Sequence, residues 1–94
     1  MADLLPSIST DQIAAFVQLA RLGSLRAAAE ALFISEQGLR SRLLTLEERL
    51  GVELYRKSRG LRRRTPLTPQ GQQFLPHAES FLERATHLVT LFQE

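Results

Sequence analysis

Two groups of side chains have types and spacing that could do chemistry. The first is the run RKSRGLRRRTPLT, residues 56–68, which holds Arg56, Lys57, Arg59, Arg62, Arg63 and Arg64 and no acid. Those six are half of the twelve Lys and Arg in the chain, leaving six basic against ten acidic residues elsewhere. A formal charge of +2 therefore hides a mildly acidic body with one intensely basic segment. Charge concentrated in this way suits an anionic partner. A solvated surface loop is the competing reading.

The second group is Gln37, Arg40 and Ser41. A Gln amide can pair with adenine N6 and N7, an Arg guanidinium with guanine O6 and N7, and Ser with a base or a phosphate. The same three types also face outward on ordinary surface helices. Two neighbours fit less simply. Glu36 suits the positive end of a helix dipole, or accepts from cytosine N4. Leu44 touches a thymine methyl or lies at the groove margin.

Enzymatic chemistry has little to work with. There is no cysteine, so thiolate nucleophiles, thiolate metal sites and disulfides are excluded. His77 and His87 are ten apart on one predicted helix, about 80° around and ~15 Å along, too far to share a metal. No glycine loop for phosphates and no paired carboxylates in a plausible cleft can be read. The chain is expected to be no enzyme and to need no cofactor.

Positioning these groups falls to a regular series of elements. Ser9 with Gln12 forms a capping-box pattern before a helix over 10–22, with Ile13, Phe16, Val17 and Ala20 at helical spacing and Gly23 as the stop. Ser24 caps LRAAAEAL, residues 25–32, whose alanines allow close helix approach. After Phe33-Ile34, Ser35 caps a third helix that runs to Leu50 and stops at Gly51. On it Leu43, Leu46 and Leu50 fall within about 40° of Leu39. Gln37, Ser41, Leu44 and Glu48 then point away, with Arg40 and Thr45 beside them. Ser35 and the N–H groups near it can hold a phosphate.

Residues 52–57, VELYRK, read as a short strand; Gly60 permits a turn, and Thr65-Pro66-Leu67 returns as an edge strand. Thr68 and Pro69 then start a last helix. Its Phe74, Ala78, Phe81, Ala85, Leu88 and Phe92 are spaced 4, 3, 4, 3, 4, a heptad seam widened by Leu75, Leu82 and Val89. Pro76 inside it is expected to kink the helix or to make its first turns irregular. The seam can close the monomer's own core, or pair with a second copy; a homodimer is expected.

The resulting fold class is mainly α: a winged helix-turn-helix of three helices plus a two-stranded wing, over 1–67, followed by a long dimerisation helix over 68–94. Length allows one small core. MADLLPSIST does not read as a signal peptide, and the uncharged stretch from Gln12 to Ala20 is far short of the ~20 residues a membrane span needs.

The set Phe16, Gly23-Ser24, Ala28-Ala29, Leu32, Ser35, Leu46-Glu47, Leu50-Gly51, Leu54-Tyr55, Leu67-Thr68 and Gly71 resembles the N-terminal DNA-binding region of LysR-type transcriptional regulators, from about Ile13 to Leu82. The resemblance implies sequence-specific binding of double-stranded DNA in a bacterial cytoplasm. A homodimer formed through the linker helix would place two recognition helices in major grooves of an inverted repeat, with the wing on the adjacent backbone or minor groove. A tetramer stays open for a full-length protein. By position, the DNA-binding candidates are Ser24, Ser35, Glu36, Gln37, Gly38, Arg40, Ser41, Thr45, Lys57, Arg59, Arg62, Arg63 and Arg64. The dimer candidates are Phe74, Ala78, Phe81, Leu82, Ala85, Leu88, Val89 and Phe92.

Departures from the family pattern cluster at the contacts. Glu36 replaces the usual glutamine, Gln37 a frequent proline, Arg40 a frequent serine and Ser41 a frequent arginine. Lys57 stands where a wing arginine is usual, and the wing is about three residues longer. A small-molecule effector is expected only for the C-terminal domain that the resemblance implies and this chain lacks. The chain is thus expected to be a fragment of a longer regulator, or a naturally short protein. A protein-interaction module is the alternative function. A winged-helix RNA binder is a weaker one, lacking the aromatic platform on which single strands stack.

Overall fold

The computed structural model describes residues 7–57 and 67–93. Four helices follow in order: α1 (Thr10–Leu22), α2 (Leu25–Leu32), α3 (Glu36–Leu50) and α4 (Pro69–Thr90). Each starts at a hydroxyl cap. The side chains of Ser9, Ser24, Ser35 and Thr68 accept from the backbone N–H of Gln12, Ala27, Gly38 and Gly71. The Ser9–Gln12 capping box is reciprocal. These bonds satisfy donors that a helix start otherwise leaves orphaned.

Three turns leave their helices in the left-handed region. Gly23 and Gly51 do so at φ 79° and 76° without steric cost. Phe33, which ends α2, does so at φ 59° with a Cβ.

α1 lies at the centre and packs on the other three helices, while α2 also packs on α3. The core is built from Ile13, Phe16 and Val17 of α1, Ala28 and Ala29 of α2, and Leu39, Leu43 and Leu46 of α3. Ala15 and Leu19 of α1, with Leu54, Tyr55, Leu67 and Ala78, complete it. The Phe16 and Phe74 rings meet at 5.5 Å between centroids, tilted by 52°, a favourable aromatic geometry.

The two-stranded wing is not seen among the described residues. They hold a single antiparallel bridge, Tyr55 with Leu67. Leu54, one residue before that bridge, is held at both its N–H and its carbonyl. Its N–H donates to the Glu47 carboxylate at 2.7 Å, and its carbonyl accepts from the Thr68 N–H at 3.1 Å. The Thr68-to-Leu54 bond is the ladder bond that flanks the Tyr55–Leu67 bridge, so the two segments pair antiparallel at this point. The expected turn at Gly60 and return strand at Thr65-Pro66 lie outside the described residues.

α4 continues as helix through Pro76. Pro76 and Gln72 are both exposed, so the Gln72 carbonyl that loses its partner is open to water.

Candidate nucleic-acid interface

α3 divides cleanly. Leu39, Leu43 and Leu46 are fully buried, while Gln37, Arg40, Ser41, Leu44 and Glu48 are exposed and Thr45 half-buried. The apolar stripe that clamps α3 to α1 and α2 therefore fixes which side chains face outward. Arg40 pairs with Glu36 one turn back, Nη2 to Oε2 at 3.6 Å. Both ends are about half exposed, so this pair is weak and can be exchanged for a stronger anion. Thr45 turns its hydroxyl onto the Ser41 carbonyl at 3.1 Å.

The N-terminus of α3 is an organised donor site. Ser35 Oγ accepts from Gly38 N at 2.9 Å, and a Cβ at position 38 would press on that oxygen at 3.1 Å. Gly38 thus keeps the cap tight. Ser24 does the same for α2, accepting from Ala27 N at 3.0 Å. Both serines are exposed and keep a hydroxyl hydrogen to donate.

Lys57 faces the body of the protein. Its Nζ lies 2.8 and 3.0 Å from the two Glu47 carboxylate oxygens, 3.1 Å from the Tyr55 carbonyl, and 3.9 Å from the centre of the Tyr55 ring. Glu47 is buried and Lys57 partly so. Tyr55 beneath them has its phenol pushed above the ordinary 10.0 by burial, with the Lys57 charge opposing. The basic candidates Arg59, Arg62, Arg63 and Arg64 lie outside the described residues.

Sequence reasoning missed two residues here. Glu47 is an acid on the edge of the buried α3 stripe, with a base ten residues on, and that pairing was its available signal. Phe33 is 94% exposed in the turn before α3, and no residue type at that position announced a left-handed backbone.

The candidate pairing seam splits along α4. Ala78 is buried, and Phe74 and Leu82 pack on the domain's own core, as Leu75 does. Ala85 is half-buried. Farther along, Phe81, Leu88, Val89 and Phe92 are exposed, the last by 90%. His77 and His87 are exposed, and among the described residues no acidic or histidine cluster could hold a metal. No helix there is long and apolar enough to cross a membrane.

Comparison with known proteins agrees with this geometry. A probable hydrogen peroxide-inducible genes activator of Mycobacterium avium is 42% identical over 71 residues, which are 76% of this chain and 22% of that protein. This chain therefore spans under a quarter of that relative's length. Among solved structures, Corynebacterium glutamicum OxyR in its oxidized form matches with TM-score 0.83 and 31% identity, covering 99% of this chain and 28% of that one. A CbnR_DBD–DNA complex matches with TM-score 0.75 and 32% identity, over 85% of this chain and 88% of that one. A BenM_DBD/benA site 1 DNA complex matches with TM-score 0.78 and 26% identity, over 89% and 94%. Residues 10–72, from the first turn of α1 to the first turn of α4, match the family profile described as bacterial regulatory helix-turn-helix protein, lysR family, and the chain belongs to that family.

Proposed function

We propose that this chain is the part of a LysR-type transcriptional regulator that binds double-stranded DNA sequence-specifically. The observation that carries the reading is α3 itself: Gln37, Arg40 and Ser41 stand exposed opposite a fully buried leucine stripe, behind a serine-capped N-terminus. Two similar structures, those of CbnR_DBD and BenM_DBD, were solved with DNA. On this reading α3 enters a major groove, the caps at Ser24 and Ser35 meet phosphates, and the basic segment runs on the adjacent backbone or minor groove. The exposed end of α4 pairs with a second copy, so that two α3 helices meet an inverted repeat. Any effector site, and any tetramer, belong to a domain beyond this chain. The family is one of transcriptional regulators, not enzymes.

Arg40→Ala tests the reading at its centre. Loss of a bidentate base contact weakens binding to the preferred duplex by about 1–3 kcal/mol and relaxes the preference at one base pair. Binding to shuffled duplex changes less. Equal loss on both duplexes would reduce Arg40 to a phosphate contact. Joint replacement of Arg62, Arg63 and Arg64 by Ala weakens both and lowers the salt slope by roughly one unit per phosphate contact removed.

A further inference from the structure

The position of Lys57 is at odds with a phosphate contact. An ammonium has three N–H donors, and three acceptors already surround this one: both Glu47 oxygens and the Tyr55 carbonyl. The same Glu47 carboxylate takes the Leu54 N–H at 2.7 Å. A single buried acid on α3 therefore holds the chain at Leu54 and at Lys57. One residue earlier, Thr68 Oγ1 at the start of α4 binds the Glu53 carbonyl at 2.6 Å, and Tyr55 bridges to Leu67. Lys57 and Leu67 flank the basic segment in the chain, and both are tied to this network.

We propose that Glu47 and Lys57 are positioning residues for DNA binding: an ion-paired strut that fixes the root of the basic segment against the recognition helix, with the Lys57 ammonium engaged by the protein's own acceptors. The proposal rests on the DNA-binding reading above. It reverses the usual expectation for an acid near phosphates. Removing the negative charge of Glu47 would ordinarily tighten binding by lowering repulsion and releasing Lys57. A strut predicts the opposite sign.

The test uses the 94-residue chain and its preferred duplex, titrated over several salt concentrations, with a thermal melt of each variant. Glu47→Gln keeps an acceptor for the Leu54 N–H but loses the ion pair, and binding is expected to weaken roughly tenfold, the size of one broken charge contact. Lys57→Gln removes a charge that never reaches phosphate, so the salt slope stays as in the unmodified chain. Lys57→Arg restores both carboxylate bonds and returns the affinity to within about twofold. Unchanged or tighter binding by Glu47→Gln overturns the strut. So does a slope lowered by about 0.9 in Lys57→Gln, the signature of one lost phosphate contact. Lys57 is partly exposed, so the slope measurement decides even if Glu47→Gln does not fold. Failure of the strut leaves binding by the unmodified chain intact, whereas failure of the DNA-binding reading abolishes it.

Discussion

Tyr55 reports on the site directly, because it is the chain's one tyrosine and there is no tryptophan. Burial raises its phenol above 10.0. The unfolded chain then loses this proton at lower pH than the folded one. The resulting stability is fully present below pH 10 and is lost as pH rises through the higher folded value. A spectrophotometric titration should show phenolate appearing later in the folded than in the denatured chain, and Tyr55→Phe should flatten the alkaline loss of stability. Coincident titrations would contradict the burial. Gly71 offers a second residue-scale check. A Cβ there would strike the Leu54 carbonyl, backbone that the Thr68 N–H already holds. Gly71→Ala should cost about 1–3 kcal/mol in denaturant unfolding, as overpacking does. What the sequence could not display at this scale was the tie between Glu47, Leu54 and Lys57. Its partners are seven and ten residues apart and follow no helical or strand period.

The helices were legible because their signals are local. Capping hydroxyls, a leucine stripe and terminal glycines each act within a turn or two, and the bounds of all of α1, α2 and α3 agree with the pattern. Two connections were not. At the wing root the Leu54 N–H turns to the Glu47 carboxylate, and β-branched and aromatic content cannot reveal that choice. The link from α2 to α3 turns through a left-handed, almost fully exposed phenylalanine. That conformation costs a residue with a Cβ about 1–2 kcal/mol, and Asn tolerates it better. Phe33→Asn should therefore raise the denaturant midpoint by about 0.5 kcal/mol or more in stability; a lower midpoint would show that the ring contributes a contact that its exposure does not suggest.

At the scale of the whole molecule, α4 divides into a half that packs on the core and a half whose apolar residues are exposed. Phe74 and Ala78 close the core, which is why a uniform heptad seam could not be divided by spacing alone. Leu88, Val89 and Phe92 leave apolar surface in water, and a second copy is the partner that an inverted-repeat site needs. Leu88→Glu combined with Phe92→Glu should yield a folded monomer by sedimentation, since neither residue belongs to the core. A dimer of unchanged strength would place the pairing surface elsewhere. Dimer and α3 together lead to one direct measurement, selection of bound sequences by the 94-residue chain from a random duplex pool. The account predicts enrichment of an inverted repeat, with half-sites one helical turn or a multiple apart. Recovery of duplexes without any shared sequence would contradict it.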